Sequence, residues 1–357
     1  MKKALSLLLC AALSLSVLAG CGGGDRSSGS ASSSPDASSS QSTPDPGDSS
    51  SAETAQLPNL MVLSGPTGVG AAKLIADDQS AADGEEGDVI NQVTVVADNS
   101  EVSTALVNGD TDIAAMATNA AANLFAKTDG GIQVLAVNTL GVLYILEKGD
   151  TVHSMADLAG KTLYAPSNTR GANPEHILNY LLERNGVDPA DVDIQWLTPQ
   201  EITVQMTASA AGICMLPVPA ATALLLQDSG VRQALSLSEE WDSLGAGPLP
   251  MGCLVVRTAY LEEHPQEVER FLTAYGQSIQ FMFDPDNLDQ AAQLVAQFQI
   301  TPSEQVAAAA IPQCNLTFLT GQEMRDVLES YYAVLFQAAP DSIGGGLPYD
   351  AFYYGLS

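Results

Sequence analysis

The chain has 357 residues, 13 of them Lys or Arg and 42 Asp or Glu, for a formal net charge of −29. Acidity on this scale repels phosphate backbones and anionic bilayers, which excludes nucleic-acid binding or membrane attachment through a basic face. It does not signal disorder, because 46% of the residues are hydrophobic and only 15% charged, enough apolar material to bury a core.

Lys2 and Lys3 precede an apolar stretch from Ala4 to Ala19, too short for a membrane span, which takes about 20 apolar residues. A basic start followed by a short apolar core reads as a secretory signal. Its end, Leu18-Ala19-Gly20-Cys21, resembles the bacterial lipobox, in which the Cys thiol receives a diacylglycerol and becomes the new N-terminus. Residues 1–21 therefore read as a lipoprotein signal with Cys21 as the lipidation site; an ordinary signal peptide with a chance Cys is the alternative. Residues 22–56 hold thirteen Ser with Gly, Pro and Asp and almost no large apolar side chain. They are expected to form a disordered tether with a reach of about 30 Å.

From residue 57 the pattern changes to alternating strands and helices. Leu60–Leu63 is a short apolar run ended by Gly65-Pro66-Thr67-Gly68, and a helix starts near Val69. A strand over Gln92–Val96, a helix over Glu101–Asn108 closed by Gly109, a strand over Asp112–Ala117 and a helix over Ala120–Ala126 follow. The grammar restarts with a strand ending at Ala165, a loop from Pro166 to Asn173 and a helix from Pro174 to Arg184, then Asn185-Gly186. Pro in the first turn and Gly beyond the last are the favoured helix boundaries. Next come a strand over Val192–Leu197, a helix over Glu201–Ser209, a strand over Gly212–Leu216, Pro217-Val218-Pro219, and a helix over Ala220–Gln227. Such alternation predicts α/β architecture with mainly parallel sheets.

The segment Glu101 to Ala120 and the segment Glu201 to Ala220 share one order: helix, Gly turn, apolar strand, break, helix. Two lobes of one plan would each set helix N-termini at the carboxyl ends of their strands, where free N–H groups suit a polar or anionic ligand. The remainder, Tyr260–Ser357, reads as helical over Pro265–Phe283, Leu288–Phe298, Ser303–Ala310 and Gly321–Gln337. With no strand expected beyond Leu254-Val255-Val256, this stretch must cover one of the earlier sheets.

The chain resembles the substrate-binding proteins of ABC importers, in the nitrate/sulfonate/taurine and thiamine-precursor binding group. The resemblance rests on Gly65-Pro66-Thr67-Gly68-Val69-Gly70, on Asn108-Gly109-Asp110-x-Asp112-Ile113-Ala114, on Asp157-Leu158-x-Gly160-Lys161 and on Pro174-Glu175. It covers essentially all of 57–357, through the order of the motifs rather than any one of them. It implies a type II periplasmic-binding-protein-like fold with two hinge crossings, placed near Leu140-Gly141 and Pro248–Met251. Lobe 1 would be 57–140 plus 250–357, and lobe 2 141–249. It also implies a monomeric, lipid-anchored protein on the outer face of the cytoplasmic membrane. Such a protein captures a small polar or anionic solute and delivers it to a permease, with no cofactor. An enzyme on the same fold, of the thiamine-precursor or menaquinone-pathway type, and a tethered ligand sensor are the competing functions.

Candidate contacts follow from the helix starts. Gly65-x-x-x-x-Gly70 is no phosphate loop, because Ala71 and Ala72 stand where Lys and Ser/Thr are required,. Gly65, Thr67 and Gly68 are candidate ligand contacts, with a purely structural turn as the alternative. Thr118 and Asn119 are candidates, with helix capping as the alternative. Thr169, Arg170 and Gly171 occupy the equivalent loop of the second half; Arg170 would pair a carboxylate or sulfonate, or else stay solvated. Glu201 is a capping charge or an amine contact. His153, His176 and His264 lack metal-ligand spacing, and no Gly-x-Ser-x-Gly elbow occurs,. A Cys253–Cys314 bridge and buried free thiols are both open.

Overall fold

The computed structural model describes residues 56–356, apart from 83 and 86. The signal segment, Cys21 and the tether up to residue 55 lie outside the described residues. The described part runs through β1 (Asn59–Leu63), α1 (Pro66–Val69), α2 (Ala72–Asp78), β2 (Gln92–Val96) and α3 (Asn99–Asn108). It continues through β3 (Ile113–Ala117), α4 (Thr118–Lys127) and β4 (Ile132–Thr139). Residues 140–142 then lead into β5 (Leu143–Lys148), β6 (Thr162–Pro166), α5 (Asn173–Arg184), β7 (Asp193–Leu197) and α6 (Pro199–Ala208). β8 (Gly212–Pro217), α7 (Ala220–Gln227), β9 (Val231–Ser236) and α8 (Leu237–Ser243) complete that section. Residues 244–251 return the chain to β10 (Gly252–Arg257), α9 (Thr258–Glu263) and α10 (Pro265–Phe283). α11 (Leu288–Gln297), α12 (Glu304–Ala310), β11 (Leu316–Leu319) and α13 (Gly321–Ala338) finish it.

The strands form two sheets, one ordered β11-β4-β10-β3-β1-β2 and the other β7-β6-β8-β5-β9. β1 lies parallel to β2 and β3, while β10 is antiparallel to β3 and β4. In the second sheet β6 lies parallel to β7 and β8, and β5 is antiparallel to β8 and β9. Most strands of each sheet therefore point one way. The order 2-1-3-10-4 in one sheet matches 7-6-8-5-9 in the other. In both, the reversed inner strand is the one that has just arrived from the other sheet. That is the internal repeat expected from the segments starting at Glu101 and Glu201.

Local chemistry sets the boundaries. The Asp98 side chain accepts from the Ser100 N–H at 2.7 Å and starts α3, and Gly109, at φ 79°, stops it, a left-handed turn that favours glycine. Thr198 and Glu201 form a capping box for α6: the carboxylate accepts from the Thr198 N–H and hydroxyl, both at 2.8 Å. Those bonds hold the Glu201 carboxyl below its usual range and fill the capping role.

Two C-terminal helices cover opposite faces of the first sheet. Leu60, Val62, Ile113 and Leu254 pack with Phe271 and Tyr275 of α10, while Phe125 of α4 shares the other core with Leu328 and Tyr332 of α13. The segment also contributes β11, contrary to the expectation of no further strand; with four residues it is too short to display a period-two pattern. The three cysteines Cys214, Cys253 and Cys314 are free and buried, so the bridge left open for Cys253 and Cys314 is absent.

Candidate functional site

The carboxyl ends of β1, β3, β6 and β8 open onto one cleft of about 520 Å³. One wall comes from Thr67, from Asn99, Ser100 and Ser103 of α3, and from Asn119, Asn123 and Lys127 of α4. The facing wall is the turn from Asn168 to Pro174 at the start of α5. Val142 and Met251, one from each connection between the sheets, line it with Pro217, and Asp341 and Ser342 close an edge. Ligand sites at the carboxyl ends of strands and between lobes are the rule for sheets of this type.

Hydrogen bonds hold this wall in place. Asn99 Oδ1 accepts from the Ala117 N–H at 2.9 Å, fixing the start of α4 against α3. Asn123 Nδ2 donates to the Asp341 carbonyl at 2.9 Å, tying the edge to the wall. Across the cleft, the Thr169 hydroxyl donates to the Pro166 carbonyl at 2.6 Å. Asn173 is buried and accepts at Oδ1 from the hydroxyl of Tyr331. Burial pushes the Tyr331 hydroxyl up, despite its hydrogen bonds, so it remains a donor at any ordinary pH.

The sequence-predicted candidates divide. Thr67, Asn119, Thr169 and Gly171 line the cleft. Gly65, Gly68, Thr118 and Arg170 do not. The Gly65 N–H donates to the Ile300 carbonyl at 2.9 Å, and the Gly68 N–H to the Gly65 carbonyl at 3.0 Å. A Cβ on Gly68 would sit 2.1 Å from the Leu63 carbonyl oxygen, so close backbone approach accounts for this glycine. Thr118 opens α4 and is fully occupied: its hydroxyl donates to the Pro250 carbonyl at 2.8 Å and its N–H to the Met251 carbonyl at 3.2 Å. Arg170 is exposed and is not part of the cleft lining. The Gly171 N–H, although in the lining, already donates to the Glu175 carboxylate.

Sequence reasoning missed Asn99, Asn123, Asn168, Asn173 and Lys127. The available signal was the Asn that recurs where strands break into helices, as in Asp98-Asn99, Thr118-Asn119 and Asn173-Pro174. Among the described residues the result is a site of amides and hydroxyls with one cation, Lys127, and one carboxylate, Asp341. Among the described residues no three His, Cys, Asp or Glu side chains group to hold a metal. Burial pushes the Cys214 and Cys314 thiols up to about 12, which leaves them without nucleophilic character at neutral pH. The arrangement can hold and orient a small polar molecule by hydrogen bonds.

No curated protein matches the chain in sequence. Its structure is similar to an ABC transporter protein from Parabacteroides distasonis, with a TM-score of 0.68 and 22% identity over 84% of this chain and 99% of that one. It is also similar to the periplasmic aliphatic sulphonate binding protein SsuA from Escherichia coli, with a TM-score of 0.65 and 14% identity over 84% and 92% of the two chains. A third similar structure is the periplasmic nitrate-binding protein NrtA from Synechocystis PCC 6803, with a TM-score of 0.53 and 15% identity over 81% and 84%. These likenesses establish the two-lobed periplasmic-binding-protein fold. The profile described as "NMT1/THI5 like" matches residues 85–288, more than half of the 357 residues. The chain belongs to the NMT1/THI5-like family.

Proposed function

We propose that this protein is an extracytoplasmic solute-binding protein that captures a small polar solute between two lobes and hands it to the permease of an ABC importer. The observation that carries the reading is the cleft itself. Both sheets supply its walls, and Val142 and Met251, from the two connections between them, line its interior. A site so placed closes or opens when those connections bend. The similar binding proteins for sulphonate and nitrate support transport over the enzyme reading, and the cleft's amides and hydroxyls supply binding groups rather than a nucleophile and base.

The lobes are proposed to be 57–140 plus 250–357 and 141–249, and the protein to act as a monomer. Anchoring is proposed through a lipid on Cys21. No helix among the described residues is long and apolar enough to cross a membrane. Replacing Cys21 by Ser should release the protein into the medium or leave an unprocessed precursor; a cleaved variant that stays with membranes would refute the anchor.

Capture is tested by a thermal-shift screen of sulfonates, carboxylates, polyamines and pyrimidines, followed by solution scattering. A bound solute raises stability as RT ln(1 + [L]/Kd) and should reduce the radius of gyration. A saturating solute that leaves the scattering unchanged would argue against closure.

A further inference from the structure

We infer that the solute is neutral overall and both donates and accepts hydrogen bonds, as amides and polyols do, rather than being a small anion; this rests on the capture reading above. A side-chain amide offers an NH₂ donor and a carbonyl acceptor at nearly equal size, so the groups left over in the cleft can be inventoried. Asn99 uses one acceptor position of its carbonyl on the Ala117 N–H and keeps both NH₂ hydrogens, whereas Asn123 uses one NH₂ hydrogen on the Asp341 carbonyl and keeps the other together with its carbonyl,. Asn119 and Asn168 line the cleft and neither amide has a partner among the described residues. Donors and acceptors are thus left in comparable number, the complement of a molecule that carries both.

Charge points the same way. Among the described residues, the lining's one cation, Lys127, is matched by one carboxylate, Asp341, and both are exposed. Arg170, the residue that could have formed a two-pronged bond to an acidic group, lies outside. At the second wall the Gly171 N–H is held by the Glu175 carboxylate, so an incoming anion would meet a negative charge where a free amide is needed. The chain's net charge of −29 adds repulsion beyond contact distance. Beyond the Thr118 N–H, held by the Met251 carbonyl, the first turn of α4 leaves N–H groups without an intrahelical acceptor, and a neutral carbonyl or hydroxyl oxygen can accept from them without the cost of burying a charge.

The test is calorimetry on the full chain with matched neutral and anionic probes: acetamide and acetate, methanesulfonamide and methanesulfonate, nicotinamide and nicotinate, glucose and glucuronate. The neutral member of at least one pair should bind about tenfold or more tighter than its anion, the scale of one charged hydrogen bond. Its Kd should not change with ionic strength, because no net charge is brought in. Tighter binding of the anionic members, weakening as salt rises, would overturn the inference and leave capture intact. Failure of every probe to bind, with no compaction in scattering, would sink the capture reading and the inference with it.

Discussion

The hydroxyl of Tyr331 on α13 donates to Oδ1 of Asn173 at the start of α5, a buried hydrogen bond between helices that flank different sheets. Tyr331 also meets Trp241 of α8, with ring centroids 5.9 Å apart, and Asn173 Nδ2 lies 3.5 Å from the sulfur of Met251. Asn173 lines the cleft, so one residue of the binding wall is held by the C-terminal helix and by the return connection. On the opposite side, Ala307 and Ala310 of α12 share an apolar cluster with Ala221 and Leu224 of α7. The C-terminal helices therefore bridge to the second sheet on two fronts.

Tyr331→Phe keeps the ring and removes the donor, leaving a buried amide oxygen unsatisfied. Stability should fall by about 1–3 kcal/mol, read as a lower urea midpoint with an unchanged slope. An unchanged midpoint would mean the bond contributes nothing net.

Asn119 and Arg170 should separate cleanly. Asn119→Ala should weaken binding of whichever screened solute is captured by about 0.5–1.5 kcal/mol, the net worth of a neutral hydrogen bond, with stability nearly intact. Arg170→Ala, exposed and outside the cleft, should change neither affinity nor stability. Calorimetry on both variants decides; loss of affinity in the Arg170 variant alone would place the solute elsewhere.

Glu147 should give acid sensitivity. It is 2% exposed, and burial acts to raise its pKa. That effect is outweighed by donation from the Thr151 N–H and hydroxyl, the Val152 N–H, and Arg232 Nη2 at 2.5 Å, so the carboxyl ends below its usual range. A depressed pKa contributes stability that is present above the unfolded value, about 4.3 for Glu. It is lost as pH falls through the lower folded value. Glu147→Gln should then cost about 1–3 kcal/mol at pH 7, and the difference from the parent should shrink with acidification below about pH 4. A penalty independent of pH would assign the effect to packing.

The buried thiols should be silent. Cys214, Cys253 and Cys314 are free and burial raises each thiol pKa. Native protein treated with iodoacetamide should show no adduct on these three in peptide mass spectra, and denatured protein should show all three without prior reduction. Labelling only after reduction would reveal a disulfide.

Two helices were legible residue by residue: Ala220–Gln227 and Pro265–Phe283 form helices over the predicted limits. β4, β5 and β9 were not, although β4 and β5 are almost wholly buried. A strand covered on both faces shows a continuous apolar run without alternation, so its period is invisible. The repeat between Glu101 and Glu201 foretold two sheets of one plan, because helix, turn and strand are local. The site was legible only as loops at strand ends. By itself the sequence determined the α/β order, the repeated unit and the acidic charge, all consequences of short-range propensity and composition. Tertiary structure decided that Thr118 binds the return connection, that Arg170 stays out of the cleft lining, and that asparagines from α3, α4 and α5 converge. Which way a loop side chain points depends on the partners that folding brings to it, such as the Pro250 carbonyl 132 residues from Thr118, and no local pattern encodes them.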